Sequence, residues 1–105
     1  MTHGIRTQPY LSLMTAADLA RAIGEHLRLA RVGKQWSAAD LTERAGVSVS
    51  AVSAVEAGDG RLHDYVAASM VLGFGHELWN ASRPRPTSLD ELERIELARC
   101  EHPMG

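Results

Sequence analysis

Between Ser37 and Gly58 the chain reads SAADLTERAGVSVSAVSAVEAG, and no other run limits the fold as much. Ser37 suits a helix N-cap, because its hydroxyl can accept from first-turn backbone donors that have no other partner. Asp40, three residues on, can reciprocate in a capping box. Leu41 and Ala45 then fall four apart on one face, and Gly46 follows where a positive φ costs little and the chain can turn sharply. Val47 is apolar and Ser48 is a second capping residue. Val52 and Val55 recur three apart before Glu56 and Gly58 close the segment. The pattern predicts two short helices joined by a tight turn, a helix-turn-helix.

A chain of 105 residues holds one small domain with a modest core. Hydrophobic residues make up 45% but aromatics only 5%, so that core is built from Leu, Val, Ala and Ile. Such side chains suit small, closely packed helices better than a sandwich, and an all-α fold is expected. The single Cys100 cannot form an intramolecular disulfide. No run has the length of a membrane span or the form of a signal peptide, which makes a cytoplasmic location without a membrane partner the expectation. Eleven basic against thirteen acidic residues give a net charge of −2, low for a nucleic-acid binder because neutralising phosphate needs Lys and Arg. Any such role rests on how the charges are distributed.

Residues 1–14 form an N-terminal arm. Met1 to Pro9 lacks a periodic apolar pattern, and Arg6 is its one cation able to reach toward a duplex. Tyr10-Leu11-Ser12-Leu13 alternates, and reads equally as a short strand, an anchor laid on the domain, or the incidental apolar tip of a disordered arm. Thr15 and Asp18 form another capping box. Leu19, Ile23, Leu27 and Ala30 follow on one helical stripe until Gly33 breaks the run, which predicts a helix of about four turns. Arg21, Arg28 and Arg31 lie largely off that stripe, and Lys34 and Gln35 occupy the link to the helix-turn-helix. Trp36, just before the Ser37 cap, suits an apolar staple on the next helix better than a base-stacking role.

Beyond Gly58, the loop Asp59-Gly60-Arg61 leads to Leu62, Tyr65, Val66, Ser69 and Leu72 on one helical face, ended by Gly73. Phe74, Leu78 and Trp79 predict a short apolar helix that closes the bundle. His63, Asp64 and His76 lack metal-ligand spacing, so neither metal nor cofactor is expected. The domain is expected to span 15–81. Arg83-Pro84-Arg85-Pro86 then makes a stiff linker, and a last helix begins at a third capping box, Ser88 with Glu91. Leu89, Leu92 and Ile95 give that helix an apolar face, which either packs on its own domain or pairs with a second copy. Asp90, Glu91, Glu93, Glu96 and Glu101 make the 82–105 segment acidic and place it away from DNA.

The run Leu41-Thr42-Glu43-Arg44-Ala45-Gly46-Val47-Ser48, followed by Val52, Val55, Glu56 and Gly58, resembles the lambda-repressor-like (XRE-type) DNA-binding family. The resemblance reaches from about Leu19 to Trp79. It implies a compact five-helix lambda-repressor-like domain, here with an additional C-terminal helix. It implies too that Arg31 pairs with Glu56, fastening the first helix to the end of the recognition helix. In the family that helix enters the major groove by its N-terminal end, while the N-terminus of the preceding helix meets phosphate. The matching base-facing positions are Val49, Ser50 and Ala54, with Ser48 and Ser53 nearby. Phosphate contacts are expected from Lys34, Gln35, Ser37, Arg44 and Arg61.

The chain departs from the family pattern in two ways. No base-facing position carries Arg, Asn or Gln, and Ala38 stands where many members have Gln. Specificity would then rest on apolar contact, water and DNA shape. A domain with so few cations needs two copies on a pseudo-palindrome, with recognition helices about one DNA turn, roughly 34 Å, apart. Leu89, Leu92 and Ile95 are the dimerisation candidates. The expected function is a homodimeric, sequence-specific repressor of phage, plasmid or antitoxin type on a double-stranded operator. The alternative is an interaction module of the same shape that binds a toxin or another regulatory protein. No Ser/His/Asp arrangement, Gly-rich phosphate loop, HExxH or Cys/His metal spacing occurs, so no catalytic residue is assigned and an enzyme is not expected.

Overall fold

Residues 14–101 are described by a computed structural model. The expectations for Arg6, Met1 to Pro9 and Tyr10 to Leu13 lie outside these residues. Among the described residues the fold is all-helical, with six helices and no strand: α1 Ala16–Gly33, α2 Ala38–Ala45, α3 Val49–Glu56, α4 Leu62–Val71, α5 Gly75–Ser82 and α6 Leu89–Glu101. The chain divides into two compact units, Met1–Gly75 and His76–Gly105, so the division falls ahead of the expected boundary between 81 and 82.

Local chemistry sets the helix starts. Asp18 N–H donates to Thr15 Oγ1 at 3.0 Å and Thr15 N–H to Asp18 Oδ2 at 3.2 Å, a complete capping box at α1. The same exchange opens α2, with Asp40 N–H on Ser37 Oγ at 3.0 Å and Ser37 N–H on Asp40 Oδ2 at 2.8 Å. At α3 the Ser48 hydroxyl accepts from Ala51 N–H at 3.1 Å. α6 differs from expectation. Glu91 N–H reaches Ser88 Oγ at 3.1 Å, but the Glu91 carboxylate accepts from Thr87, from its N–H at 2.6 Å and its hydroxyl at 3.0 Å. The cap is thus shared between two residues.

The end of α1 corrects the sequence reading. Its 18 residues make five turns rather than four, and Gly33 is the last residue of the helix, with Lys34 as its C-cap. The reversal falls on Gln35, at φ 61°. Gln35 N–H donates to the Val32 carbonyl at 2.9 Å and Trp36 N–H to that of Arg31 at 3.1 Å, the double closure of a Schellman motif. Gln occupies the left-handed position that such motifs usually give to Gly. The α2–α3 turn does use glycine, with Gly46 at φ 72°.

Leu27, Leu41, Val52, Val55, Ala68 and Leu72 are buried together, drawn from α1, α2, α3, α4 and the first residue past α4. Ala30, Trp36, Ala38, Ala45, Val47, Tyr65 and Val71 pack around them. Two expected inner positions stay outside: Leu19 is 40% exposed and Leu62 74%. Leu62 instead rims an open apolar hollow of about 270 Å³, with Ala20, Ile23 and Tyr65. Close approach of α1 to the end of α3 depends on Gly24. A Cβ there would lie 2.5 Å from the Glu56 carbonyl oxygen and 2.7 Å from that of Val55, well inside van der Waals contact.

The second unit carries little core. No residue of α5 is buried, and Trp79 is 58% exposed. Arg85 folds back to donate to the Asn80 carbonyl at 3.0 Å, serving one of the carbonyls left open at the end of α5. On α6, Leu89 and Leu92 are exposed and Ile95 is half-buried.

Candidate nucleic-acid interface

α3 is a helix of two faces. Val52 and Val55 are buried, whereas Ser48, Val49, Ser50 and Ser53 are exposed, with Val49 61% open to solvent. Four of the five expected base readers therefore stand outward near the helix start. Ala54, the fifth, is half-buried and walls a groove of about 430 Å³ with Ser48, Ser50, Ala51, Asp59, Gly60, Arg61 and Asp64. Ser48 has local commitments: besides accepting from Ala51, its Oγ lies 3.2 Å from Ser50 Oγ. One hydroxyl of the pair thus donates to the other, and the two act as a unit with one fewer proton for a ligand.

The far end of α3 is held by Arg31 of α1. Arg31 Nε lies 2.7 Å from Glu56 Oε2 and Nη2 3.1 Å from Oε1, a two-point fork, while Nη1 donates to the Trp36 carbonyl at 2.9 Å. Both side chains are mostly buried, at 14% and 12% exposure. The hydrogen bonds that Arg31 donates to the Glu56 carboxylate raise the Arg31 pKa, so this charge is locked and satisfied within the fold. It offers nothing to an external anion.

Two further cations are also engaged. Arg21 pairs with Asp18 and Arg28 with Glu25, each within α1. Lys34, Arg44 and Arg61 form no ion pair among the described residues. Lys34 and Arg44 converge on Trp36, with Lys34 Nζ 5.4 Å and Arg44 Cζ 4.3 Å from the ring centroid. Gln35 is exposed beside them.

At Ser37 the expected phosphate contact needs correcting. Its N–H is spent on the Asp40 carboxylate, and its hydroxyl, which accepts from Asp40 N–H, is shared with that same carboxylate, so little of Ser37 is left for a ligand. Hydrogen bonds from the Ser37 backbone and then its hydroxyl hold the Asp40 pKa below 3.8, with the Arg44 charge adding to the effect. An ionised carboxylate thus stands at the start of α2, where a phosphate was expected.

Asp59, read as loop, and Asp64, read only as lacking metal-ligand spacing, were not foreseen as part of this face. Both line the groove beside Ser48 and Ser50, on either side of Arg61 in sequence. The signal lies in the run DGRLHD, where two carboxylates flank the one arginine assigned to phosphate. The α3 face therefore carries mixed charge. Among the described residues no His, Cys, Asp or Glu cluster could hold a metal ion, and no helix is long and apolar enough to cross a membrane. Leu89, Leu92 and Ile95 all lie on α6, in the second unit. Compared with protein-family models and with curated proteins, the chain finds no match.

Proposed function

We propose that this chain is a sequence-specific DNA-binding repressor of the lambda-repressor-like helix-turn-helix type, with α3 as its recognition helix. One observation carries the reading: α3 is anchored on one face by Val52 and Val55 and at its end by the Arg31–Glu56 fork, while Val49, Ser50 and Ser53 are exposed to solvent on the other. A major groove about 12 Å wide admits such a helix, and short side chains allow it to approach the groove floor. Val49 would meet a thymine methyl and the serine hydroxyls a base edge. Lys34, Arg44 and Arg61 would set the register on phosphate, with a lesser part for Gln35 and the Ser37 hydroxyl. No cofactor is needed. Two copies on a pseudo-palindromic operator, joined through Leu89, Leu92 and Ile95 of α6, would offset the small number of cations per copy. Repression would follow from occupying a promoter in the cytoplasm.

The test is a salt titration on operator-like duplexes selected from a random pool and on random duplexes. The reading expects steep salt dependence and a preference of roughly 10³ or more for one site. Val49→Ala and Ser50→Ala should alter the selected sequence, whereas Lys34→Ala should weaken every duplex alike. Equal effects from all three would overturn the assignment of readers.

Asp59 and Asp64 favour a second reading, an interaction module whose groove takes a basic segment of a toxin or another regulator. Absence of duplex binding at low salt, together with capture of a lysine- and arginine-rich peptide that Asp64→Asn abolishes, would select it.

A further inference from the structure

The geometry points to Trp36 as a positioning residue that turns Lys34 and Arg44 into one preorganised phosphate clamp, an inference that rests on the DNA-binding reading above. Both cations lie within the roughly 6 Å over which a ring attracts charge, at 5.4 Å for Lys34 and 4.3 Å for Arg44. Arg44 is eight residues from Trp36 in sequence, near the other end of α2. Only the fold brings them together.

Stacking engages the face of a guanidinium and leaves the N–H donors around its edge open to phosphate oxygens. An unsupported arginine gives up rotamer freedom when a ligand fixes it. Arg44 has already given up part of that freedom to the ring.

The ring is itself held. Trp36 packs against the core, its carbonyl accepts from Arg31 Nη1 at 2.9 Å, and its N–H closes α1 on the Arg31 carbonyl at 3.1 Å. The left-handed Gln35 sets the direction in which the chain enters this site. Arg31 in turn grips Glu56 at the end of α3. A continuous set of contacts therefore runs from the recognition helix through Arg31 and Trp36 to the two cations, fixing the phosphate grip relative to the base-reading face. The clamp also offsets Asp40, whose pKa the Arg44 charge helps to lower.

The experiment compares full-length wild type with Trp36→Phe, Trp36→Leu and Arg44→Gln. It follows binding to the selected duplex against salt, together with the NMR shift of Arg44 Hε in the free protein. Each phosphate contact contributes about 0.9 to the log–log salt slope. Trp36→Leu is expected to flatten the slope by about 1 to 2 units and to move Arg44 Hε out of the ring-current region. Trp36→Phe, which keeps a ring, should restore most of both. Arg44→Gln, which removes the charge, should flatten the slope by about 1. A folded Trp36→Leu with an unchanged slope would overturn the clamp while leaving the repressor reading standing. If Trp36→Leu fails to fold, Arg44→Gln decides alone, and an unchanged slope there overturns the clamp. Wild-type protein that binds no duplex at low salt would remove the repressor reading and the clamp with it.

Discussion

Gly24 and Gly33 lie nine residues apart in the same helix, and the structure assigns them opposite responses to one methyl group. In a helix interior, alanine is favoured over glycine by about 0.5–1 kcal/mol, because glycine loses more backbone freedom on folding. At Gly33 nothing lies within 4 Å of an added Cβ, so Gly33→Ala should stabilise the protein by about that amount. At Gly24 the same methyl would meet the Glu56 and Val55 carbonyl oxygens at 2.5 and 2.7 Å. Those atoms are backbone at the end of α3, and relieving the clash means moving that helix end and the carboxylate that Arg31 grips. Overpacking of this kind costs about 1–3 kcal/mol, so even after the gain in helix propensity Gly24→Ala should destabilise by about 1–2 kcal/mol. The gap between the variants is then about 1.5–3 kcal/mol, or roughly 6–24 °C in Tm for a domain of this size. Urea melts with unchanged slope and a lower midpoint for Gly24→Ala, but a higher one for Gly33→Ala, are the expected result. Gly24→Ala as stable as wild type would mean that α1 and α3 do not approach this closely, and that α1 does not brace the end of α3.

Three other perturbations test the same structure. Glu56→Ala leaves the Arg31 guanidinium mostly buried with only the Trp36 carbonyl as partner, and should cost about 3 kcal/mol; Arg31→Met with Glu56→Leu should recover much of it in a double-mutant cycle. Ser69 is fully buried and its hydroxyl has no hydrogen-bond partner, so Ser69→Ala should raise the urea midpoint, by about 1 kcal/mol in stability, and a lowered midpoint would show that the hydroxyl is satisfied. Asp18 is held below 3.8 chiefly by the Thr15 backbone N–H, then the Thr15 hydroxyl and Arg21, and Asp40 chiefly by the Ser37 backbone N–H, then its hydroxyl and Arg44. A folded-state pKa below the unfolded one means stability that is fully present above about 4 and lost as pH falls through the lowered values. Asp18→Asn with Asp40→Asn should therefore flatten the acid limb of a stability–pH curve below 4, and an unaltered limb would reject the caps as its source.

The parts of this fold that were legible in sequence are those set by neighbours three or four residues away. Thr15, Ser37 and Ser48 announced their helices because a capping hydroxyl and its N–H partner belong to one short segment, and Gly46 marked its turn because few other residues reach that φ cheaply. The Arg31–Glu56 fork spans 25 residues and came from the family resemblance, since no local rule pairs them. Gln35 was illegible for a related reason. Its positive φ is held by two hydrogen bonds to the α1 end, and Gly33, two residues earlier, carried the stronger local signal for a break. Leu19 and Leu62 belonged to correct stripes, but a stripe tells which face turns inward and not how far along it the core extends.

What escaped at the candidate interface is tertiary. Asp64 enters the groove beside Ser48 because α4 starts next to the start of α3, and Arg44 meets Trp36 because one turn of chain and two turns of helix bring them together. Both change what the face can do. The carboxylates of Asp40, Asp59 and Asp64 weaken a simple phosphate-binding surface, whereas the Trp36 stack concentrates the remaining positive charge at one place. A net charge of −2 is therefore no bar to a DNA-binding reading, provided its few unpaired cations are held in register with α3. Rigid placement, rather than the number of cations, is the physical requirement on which that reading stands.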